Sequence, residues 1–419
     1  MHNPRKSVDN LRDRIREDPE LTETDRELLM RFSDRIDLLA EVYGDYRHLK
    51  LLGHVYRMAT GLEGEVLAPA LEDREAAERI VAWIHRTYDN EETNVDYRTA
   101  LRVFARRVAP TDRDEIPPSV SWISTTTSRN YDPSPDPRDM LRWEEHIVPM
   151  AEAATNDRDA ALITLGFDAG ARSGELLDLS VGDIEPHEYG LQVVLEGKTG
   201  RRSVLLVPSA PYVRRWVDNH PRKGEPDAPL WCTLGGGDTI SYQRVYQILK
   251  RLAKRADVNK NVTPTILRKS SAAHLARNNL NQVHIEDHHG WVRGSRVASR
   301  YIATFGEATD REVARVYGVD VGQEEVETIS PVECVHCGQE TPGEREFCMN
   351  CGQAISPDAN HLVEEVSSLI DEEVIKTDER ERRADLLRVR QTVKEKPELL
   401  TQQQFHQLLN SLSLDSAAD

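Results

Sequence analysis

Two groups of residues in this 419-residue chain have types and spacings suited to chemistry. The first is a pair of CxxC motifs, Cys334-Val335-His336-Cys337 and Cys348-Met349-Asn350-Cys351, separated by ten residues. Two residues between thiolates let both sulfurs turn onto one ion, and Gly338 and Gly352 allow each knuckle to curl. Four thiolates close a tetrahedral site. The expectation is one structural zinc held by Cys334, Cys337, Cys348 and Cys351, with no open position for catalysis. So short a ribbon buries almost no core, so the ion would supply most of its folding free energy. His336 is a spare ligand at best, and Cys232, alone beside Trp231, reads as a core cysteine.

The second group is spread over three segments. Gly170-Ala171-Arg172-Ser173-Gly174-Glu175-Leu176 follows an apolar helix; its glycines permit an irregular turn that presents Arg172, with Glu175 placed to orient the guanidinium. In Thr263-Pro264-Thr265-Ile266-Leu267-Arg268-Lys269, Thr263 suits an N-cap and Pro264 the first helical position. Thr265 and Arg268 then share a face near a helix N-terminus, where a phosphate would fit. His288-His289-Gly290-Trp291 precedes Tyr301 by ten residues, with Arg293, Arg296 and Arg300 between. Singly, each segment reads equally well as an ordinary turn, cap or half-buried aromatic.

The elements that must position these residues follow from periodicity. Residues 7–113 read as a helical domain; Thr22 and Asp25 start one helix, and Arg98, Arg102 and Arg106 line another, either as a DNA-clamping face or as a solvated one. Residues 114–137 are rich in Pro and Ser and read as a linker. Residues 138–320 mix helices, over about 139–154, 158–169, 211–219, 240–256, 265–278, 281–289 and 295–303, with a hairpin of strands Leu191–Leu195 and Ser203–Val207. Its connection carries Lys198, Arg201 and Arg202. The cysteine module occupies 331–356. An amphipathic helix follows over 358–395, suited to dimerisation or to packing on its own chain, and 396–419 is a tail. The fold class is mainly α with a small β-hairpin, α+β.

Composition excludes several classes. No run of about 18 apolar residues predicts a membrane span, and the opening residues lack an apolar secretion signal. The formal charge is −18, with 72 acids against 54 bases, of which 11 are Lys and 43 Arg. Excess acid with few lysines suggests a high-salt proteome, so overall acidity does not argue against a DNA partner. Residues 251–300 reverse the sign locally, with ten bases against three acids.

In order and spacing, Gly170–Leu176, the Gly197-Lys198-Thr199-Gly200 hairpin, Thr263–Lys269, Gly290-Trp291 and Tyr301 together resemble the tyrosine recombinase (lambda-integrase-like, phage integrase) family, over about residues 138–305. The resemblance implies a helical core-binding domain, a catalytic domain at 138–320, and a zinc-ribbon variant of haloarchaeal or halovirus type. It implies a site-specific recombinase or integrase that cleaves and rejoins DNA through a 3′-phosphotyrosyl link, without ATP or a catalytic metal. Tyr301 would be the nucleophile, Arg172 and Arg268 the phosphate clamps, Lys198 the general acid, Trp291 a phosphate contact and Glu175 a brace. Thr265 and Lys269 stand where the family carries histidines, and Thr265 cannot act as a base near neutral pH. His288 or His289 is a candidate substitute. The alternative is a catalytically impaired DNA-binding regulator on the same scaffold. Further DNA contacts are expected from Arg98, Arg102, Arg106, Arg201, Arg202, Lys269, Arg293 and Arg296. Implied partners are double-stranded attachment sites, a homotetramer on DNA and accessory proteins at the C-terminal region. The implied location is cytoplasmic, at the nucleoid.

Overall fold

The computed structural model describes residues 4–109, 115–197, 200–306, 314, 316–319 and 329–401. The chain divides into two compact units, Met1–Pro133 and Ser134–Asp419. The first is all helical: α1 Pro4–Glu17, α2 Glu23–Asp37, α3 Asp45–Thr60, α4 Leu67–Glu72, α5 Arg74–Thr87, α6 Glu91–Val108 and α7 Pro118–Ser121. Thr22 caps α2 as its sequence implies, accepting from the Asp25 amide at 3.2 Å. Leu29, Phe32 and Ile36 of α2 meet Leu51, Leu52 and Val55 of α3 and Leu101 and Phe104 of α6 in one core. Each such side chain contributes roughly 1.5–3 kcal/mol of burial.

The segment expected as a linker from residue 114 behaves differently in its first half. Val120 and Ile123 are buried in the helical core, and Ser119 Oγ donates to Leu71 O. Arginines of α6 hold the following stretch: Arg98 donates to Ser124 O at 2.5 Å and Thr126 O at 3.2 Å, and Arg102 to Ile123 O at 2.8 Å. Among the described residues these carbonyls accept no backbone donor, and the guanidiniums supply one. Arg98 is therefore 6% exposed, its donors turned to its own chain. The part of α6 read as a DNA-clamping face is, at Arg98 and Arg102, an internal staple. Arg106 is half-buried.

The second unit is built around α9 Asp157–Asp168, buried on nearly every side through Ala161, Leu162, Ile163, Leu165 and Phe167. Before it, a single helix is expected, but a π-helical turn, Trp143–Ile147, precedes α8 Val148–Glu152. Pro149 offers no amide and crowds the preceding turn, which widens. After α9 come α10 Ser173–Leu177 and three antiparallel strands in the order β1 Ile184–His187, β2 Gly190–Gly197 and β3 Gly200–Leu206. The expected hairpin is β2–β3, in register from Leu191↔Leu206 to Gly197↔Gly200. β1 has no counterpart among the expected strands, because Pro186 argues against one; the proline is tolerated at an edge, where one amide needs no partner. Five helices follow: α11 Ala210–Asp218, α12 Tyr242–Arg255, α13 Pro264–Arg277, α14 Gln282–His289 and α15 Arg296–Phe305.

The cysteine module forms a small hairpin, β4 Val332–Glu333 with β5 Glu340–Thr341, and rests on α11. Arg214 pairs with Glu340 at 3.3 Å, Tyr212 donates to Glu344 at 3.4 Å and Arg215 donates to Met349 O. The expected single helix over 358–395 is two, Pro357–Lys376 and Arg380–Glu395, folded back on one another. Val366 and Ile370 meet Leu386, Val389, Val393 and Leu400. One long helix would leave that stripe in water; the reversal at Thr377–Glu379 buries it. Residues 397–401 of the expected tail pack on this pair; 402–419 lie outside the described residues. Among the described residues, no helix is long and apolar enough to cross a membrane.

Candidate active site

The site is assembled at the C-terminal end of α14. Gly290 closes that helix in the left-handed conformation, φ 58°. The last carbonyls of a helix lack intrahelical donors and form its negative pole. Here three successive carbonyls each receive a different guanidinium. Arg202 Nε donates to His288 O at 3.1 Å, Arg268 Nη2 to His289 O at 2.6 Å and Arg172 Nη2 to Gly290 O at 3.0 Å. Segments 30 to 96 residues apart in sequence thereby place their charges side by side.

Each arginine is fixed a second time. Gly170, at φ 54°, turns the chain out of α9 and gives its carbonyl to Arg268 Nη1 at 2.6 Å. A Cβ on Gly170 would lie 2.6 Å from His289 Nε2, so only glycine fits there. Arg172 opens α10, where Glu175 returns to the Arg172 amide at 2.9 Å and its guanidinium at 2.5 Å. Glu175 Oε2, which takes the Arg172 amide, also takes Arg202 Nη2 at 2.8 Å. Burial alone would raise the Glu175 pKa; the hydrogen bonds from Arg202 and from Arg172 outweigh it and hold it at about 2. Arg268 is pushed the other way, to about 9, by burial and by the like charges of Arg172 and Arg202. Three guanidiniums against one carboxylate leave a net positive pocket in poor contact with water. Such a pocket suits an anion with several acceptor oxygens.

Behind the arginines runs a column of rings. His289 stacks on Trp291 with centroids 4.7 Å apart, Trp291 on Tyr301 at 5.8 Å, and Tyr301 on Phe305 at 6.2 Å. The Arg268 guanidinium lies 5.4 Å over the Trp291 ring, so the indole face steadies the cation as well as walling the pocket. Tyr301 is 5% exposed among Met140, Ala272, Ala276 and Ile285. Its hydroxyl has no hydrogen-bond partner among the described residues. Burial pushes its pKa up to about 12, only partly opposed by Arg268, so the resting phenol is protonated.

Of the other candidates read from the sequence, Lys198 lies outside the described residues, between the paired Gly197 and Gly200. Thr265 and Lys269 are exposed on α13, whose N-cap is Thr263 as expected. Arg201 and Arg296 are exposed, and Arg293 is tied to Asp287 at 2.6 Å and Val283 O at 2.6 Å. Arg202, expected as a DNA contact beside Arg201, instead faces inward, because successive strand residues point to opposite sides. The substitute bases are not free to act. His288 Nε2 donates to Asp168 O at 2.9 Å, and His289 donates from Nδ1 to Ile285 O at 3.1 Å, with its bare Nε2 pressed against Gly170. Glu286 carries no signal in the sequence that marks it out. This buried carboxylate takes the Gly294 and Ser295 amides at 3.2 and 2.9 Å and so sets the turn between Trp291 and α15.

Burial lowers both imidazole pKa values, His288 to about 4 and His289 well below its ordinary value. Each is neutral when folded, while the unfolded chain takes up protons near pH 6.5. Stability from these groups is complete above about pH 6.5 and is lost as pH falls toward 4. The protection factors of α9 and α14 amides, taken relative to intrinsic exchange at each pH, should therefore fall over that interval, and His288→Gln should flatten the response. An unchanged profile in that variant would refute the account.

The four module cysteines offer ligand atoms within 4.8 Å of one another, with Cys334–Cys351 and Cys337–Cys348 sulfurs each 3.7 Å apart. A tetrahedron with Zn–S bonds of about 2.3 Å has edges of ~3.8 Å, so the donor set fits such an ion. Thr341 Oγ1 and the Asn350 amide donate to Cys348 Sγ at 3.2 and 3.4 Å, supporting a thiolate there. The module touches the start of α9 through Arg215, which pairs with Asp157 at 3.0 Å. The arginine pocket touches the other end, where Asp168 O takes His288. A helix of that length separates them by about 17 Å. Cys232 is buried, as expected, with Sγ 3.3 Å from His220 Nε2.

Residues 144–307 match the phage integrase family. Among characterised proteins, the chain is similar to tyrosine recombinase XerD of Mycobacterium tuberculosis strain H37Rv, 32% identical over 146 residues, 31% of this chain and 46% of that protein. It is similar to tyrosine recombinase XerC of Alcanivorax borkumensis, 33% identical over 120 residues, 28% of this chain and 39% of that protein. The chain thus spans less than half the length of these curated relatives. Among solved structures, the Tn1549 transposon integrase in complex with transposon right end DNA superposes with a TM-score of 0.51, at 16% identity, over 69% of this chain and 99% of that one. A lambda integrase dimer bound to a COC′ core site gives 0.50 at 13% identity, over 78% and 85%. At such identities the likeness is one of fold: mainly helical, with small antiparallel sheets.

Proposed function

We propose that this chain is a tyrosine-type site-specific DNA recombinase. The observation that carries the reading is the convergence of Arg172, Arg268, Trp291 and Tyr301 on the end of α14. Tyr301 attacks the scissile phosphodiester; a tyrosyl O–P bond forms and the P–O5′ bond breaks. The phosphotyrosyl link conserves the bond's free energy, so rejoining needs no ATP. Arg172 and Arg268 hold the non-bridging oxygens and stabilise the charge of the pentacoordinate transition state. Lys198 gives the departing 5′ oxygen its proton. The phenol's own proton leaves with solvent or with the DNA, since neither His288 nor His289 is free to take it. Contact with duplex DNA falls mainly to phosphates, with exposed Arg201, Lys269 and Arg296 as contributors. The protein acts in the cytoplasm as a homotetramer on two attachment sites. A nicked suicide duplex carrying a candidate attachment site tests this. A detergent-stable protein–DNA adduct is expected; its absence on every flanking sequence of the source element would remove the assignment.

The cysteine module holds one structural zinc, which builds the ribbon and through it the contact with α11. Removing the metal with a chelator, or substituting Cys348→Ser, should raise amide exchange across 331–356 by at least about tenfold while α9 and α14 stay protected. Loss of protection at α14 would show that the metal also supports the pocket. The C-terminal helix pair is the candidate surface for accessory proteins.

A further inference from the structure

Among the three guanidiniums at the end of α14, Arg202 has no role in the chemistry just proposed. It lies on β3, and its side chain is 11% exposed. Nε holds His288 O, Nη2 holds Glu175, and Nη1 is buried with no partner among the described residues. Its guanidinium also packs on Gly290, where an added Cβ would come within 3.0 Å of it.

The hairpin meets Glu175 a second time, through its other strand. A Cβ on Gly197 would lie 2.3 Å from Glu175 Oε1, so the end of β2 rests directly on that carboxylate. Gly197 pairs with Gly200, and Lys198 and Thr199 are the two residues between them. Both strands leading to the hairpin tip are therefore seated on one carboxylate, and that carboxylate also braces Arg172. Filling this position with an arginine is electrostatically unfavourable, since it sets a third positive charge beside Arg172 and Arg268. An apolar side chain would pack there at less cost. A third cation in this position calls for a use of the charge.

Building on the recombinase reading, in which this hairpin carries the general acid, we propose that Arg202 is a positioning residue for strand transfer: it latches the β2–β3 hairpin to the pocket through Glu175 and His288. Arg172 and Arg202 share Glu175. When a phosphodiester engages the Arg172 guanidinium, more of the carboxylate's charge is left to Arg202, and the latch tightens as the pocket fills. Binding of the phosphate and placement of the hairpin are thereby linked in both directions.

The test compares two suicide duplexes, one with the ordinary 5′ bridging oxygen and one with a 5′ bridging sulfur. A thiolate departs without receiving a proton, so a defect confined to proton delivery disappears with sulfur. Full-length wild type, Arg202→Ala, Arg202→Gln and Arg172→Ala are compared in single turnovers, with near-UV circular dichroism checking the fold. Arg202→Ala and Arg202→Gln are expected to cleave the oxygen substrate about 100-fold more slowly than wild type. On the sulfur substrate both should fall within about threefold of wild type, while Arg172→Ala stays slow on both. Equal defects on oxygen and sulfur would overturn the positioning role. So would an Arg202→Gln variant, folded as wild type, that cleaves the oxygen substrate normally. If wild type itself forms no adduct on either duplex, the functional reading fails first, and the latch with it.

Discussion

Tyr301→Phe is expected to abolish the covalent protein–DNA adduct while leaving the fold intact. The hydroxyl has no hydrogen-bond partner among the described residues, and its ring packs in an apolar cluster with Met140, Ala276 and Phe305. Removing the oxygen therefore breaks no internal bond and lessens the desolvation of a partly buried polar group. Thermal stability should be equal to wild type or higher by a few tenths to about 1 kcal/mol. Chemistry should fall by more than about 10³-fold, because no neighbouring group can replace a nucleophile that forms the covalent bond. The two readouts move apart only if Tyr301 is the nucleophile. A variant that loses adduct formation together with stability would show a structural tyrosine, and one that still forms adduct would assign the link to another residue.

Arg268→Lys should lower cleavage by roughly 10²–10³-fold with little change in DNA retention. The guanidinium reaches two carbonyls on different segments, Gly170 O and His289 O, and lies over the Trp291 ring. An ammonium is a point donor and cannot keep both carbonyls while also engaging a phosphate. Loss of one carbonyl partner costs about 1–3 kcal/mol, and the positive charge beside Arg172 and Arg202 is kept. The stability change should thus be no larger than the kinetic one. Inorganic phosphate gives an independent measure. It should raise the melting temperature of the second unit in wild type, with about 2.7 kcal/mol of stabilisation at a hundredfold excess over its Kd, and do so less in Arg268→Lys. Lysine variants that cleave within tenfold of wild type would place the phosphate elsewhere.

The positions of most elements are legible in the sequence because local signals carry them. Caps at Thr22 and Thr263, the apolar periodicity of α9 and the alternation of β2 and β3 act within a few residues, and the structure has them where they are read. The cysteine spacing likewise defines its own tetrahedron, because a knuckle is a local turn. The identity of Arg172, Arg268, Trp291 and Tyr301 as one set is readable only from their order and spacing along the chain, which match a known pattern.

Tertiary structure alone decided what each arginine does. From sequence, Arg98, Arg102, Arg201 and Arg202 are four basic residues available to DNA. Folding commits Arg98 and Arg102 to carbonyls of a distant segment, leaves Arg201 in water and turns Arg202 onto Glu175. The reason is physical: a guanidinium's role depends on which unpaired acceptors come within about 3 Å, and those acceptors lie tens to a hundred residues away. The same holds for the histidines, whose ring hydrogens go to Asp168 and Ile285. It holds too for the C-terminal stripe, where a reversal of direction settles which apolar face is buried. Composition and spacing therefore determine which groups are present and which elements carry them. The long-range pairing of donors with acceptors determines which of those groups remain free for a substrate.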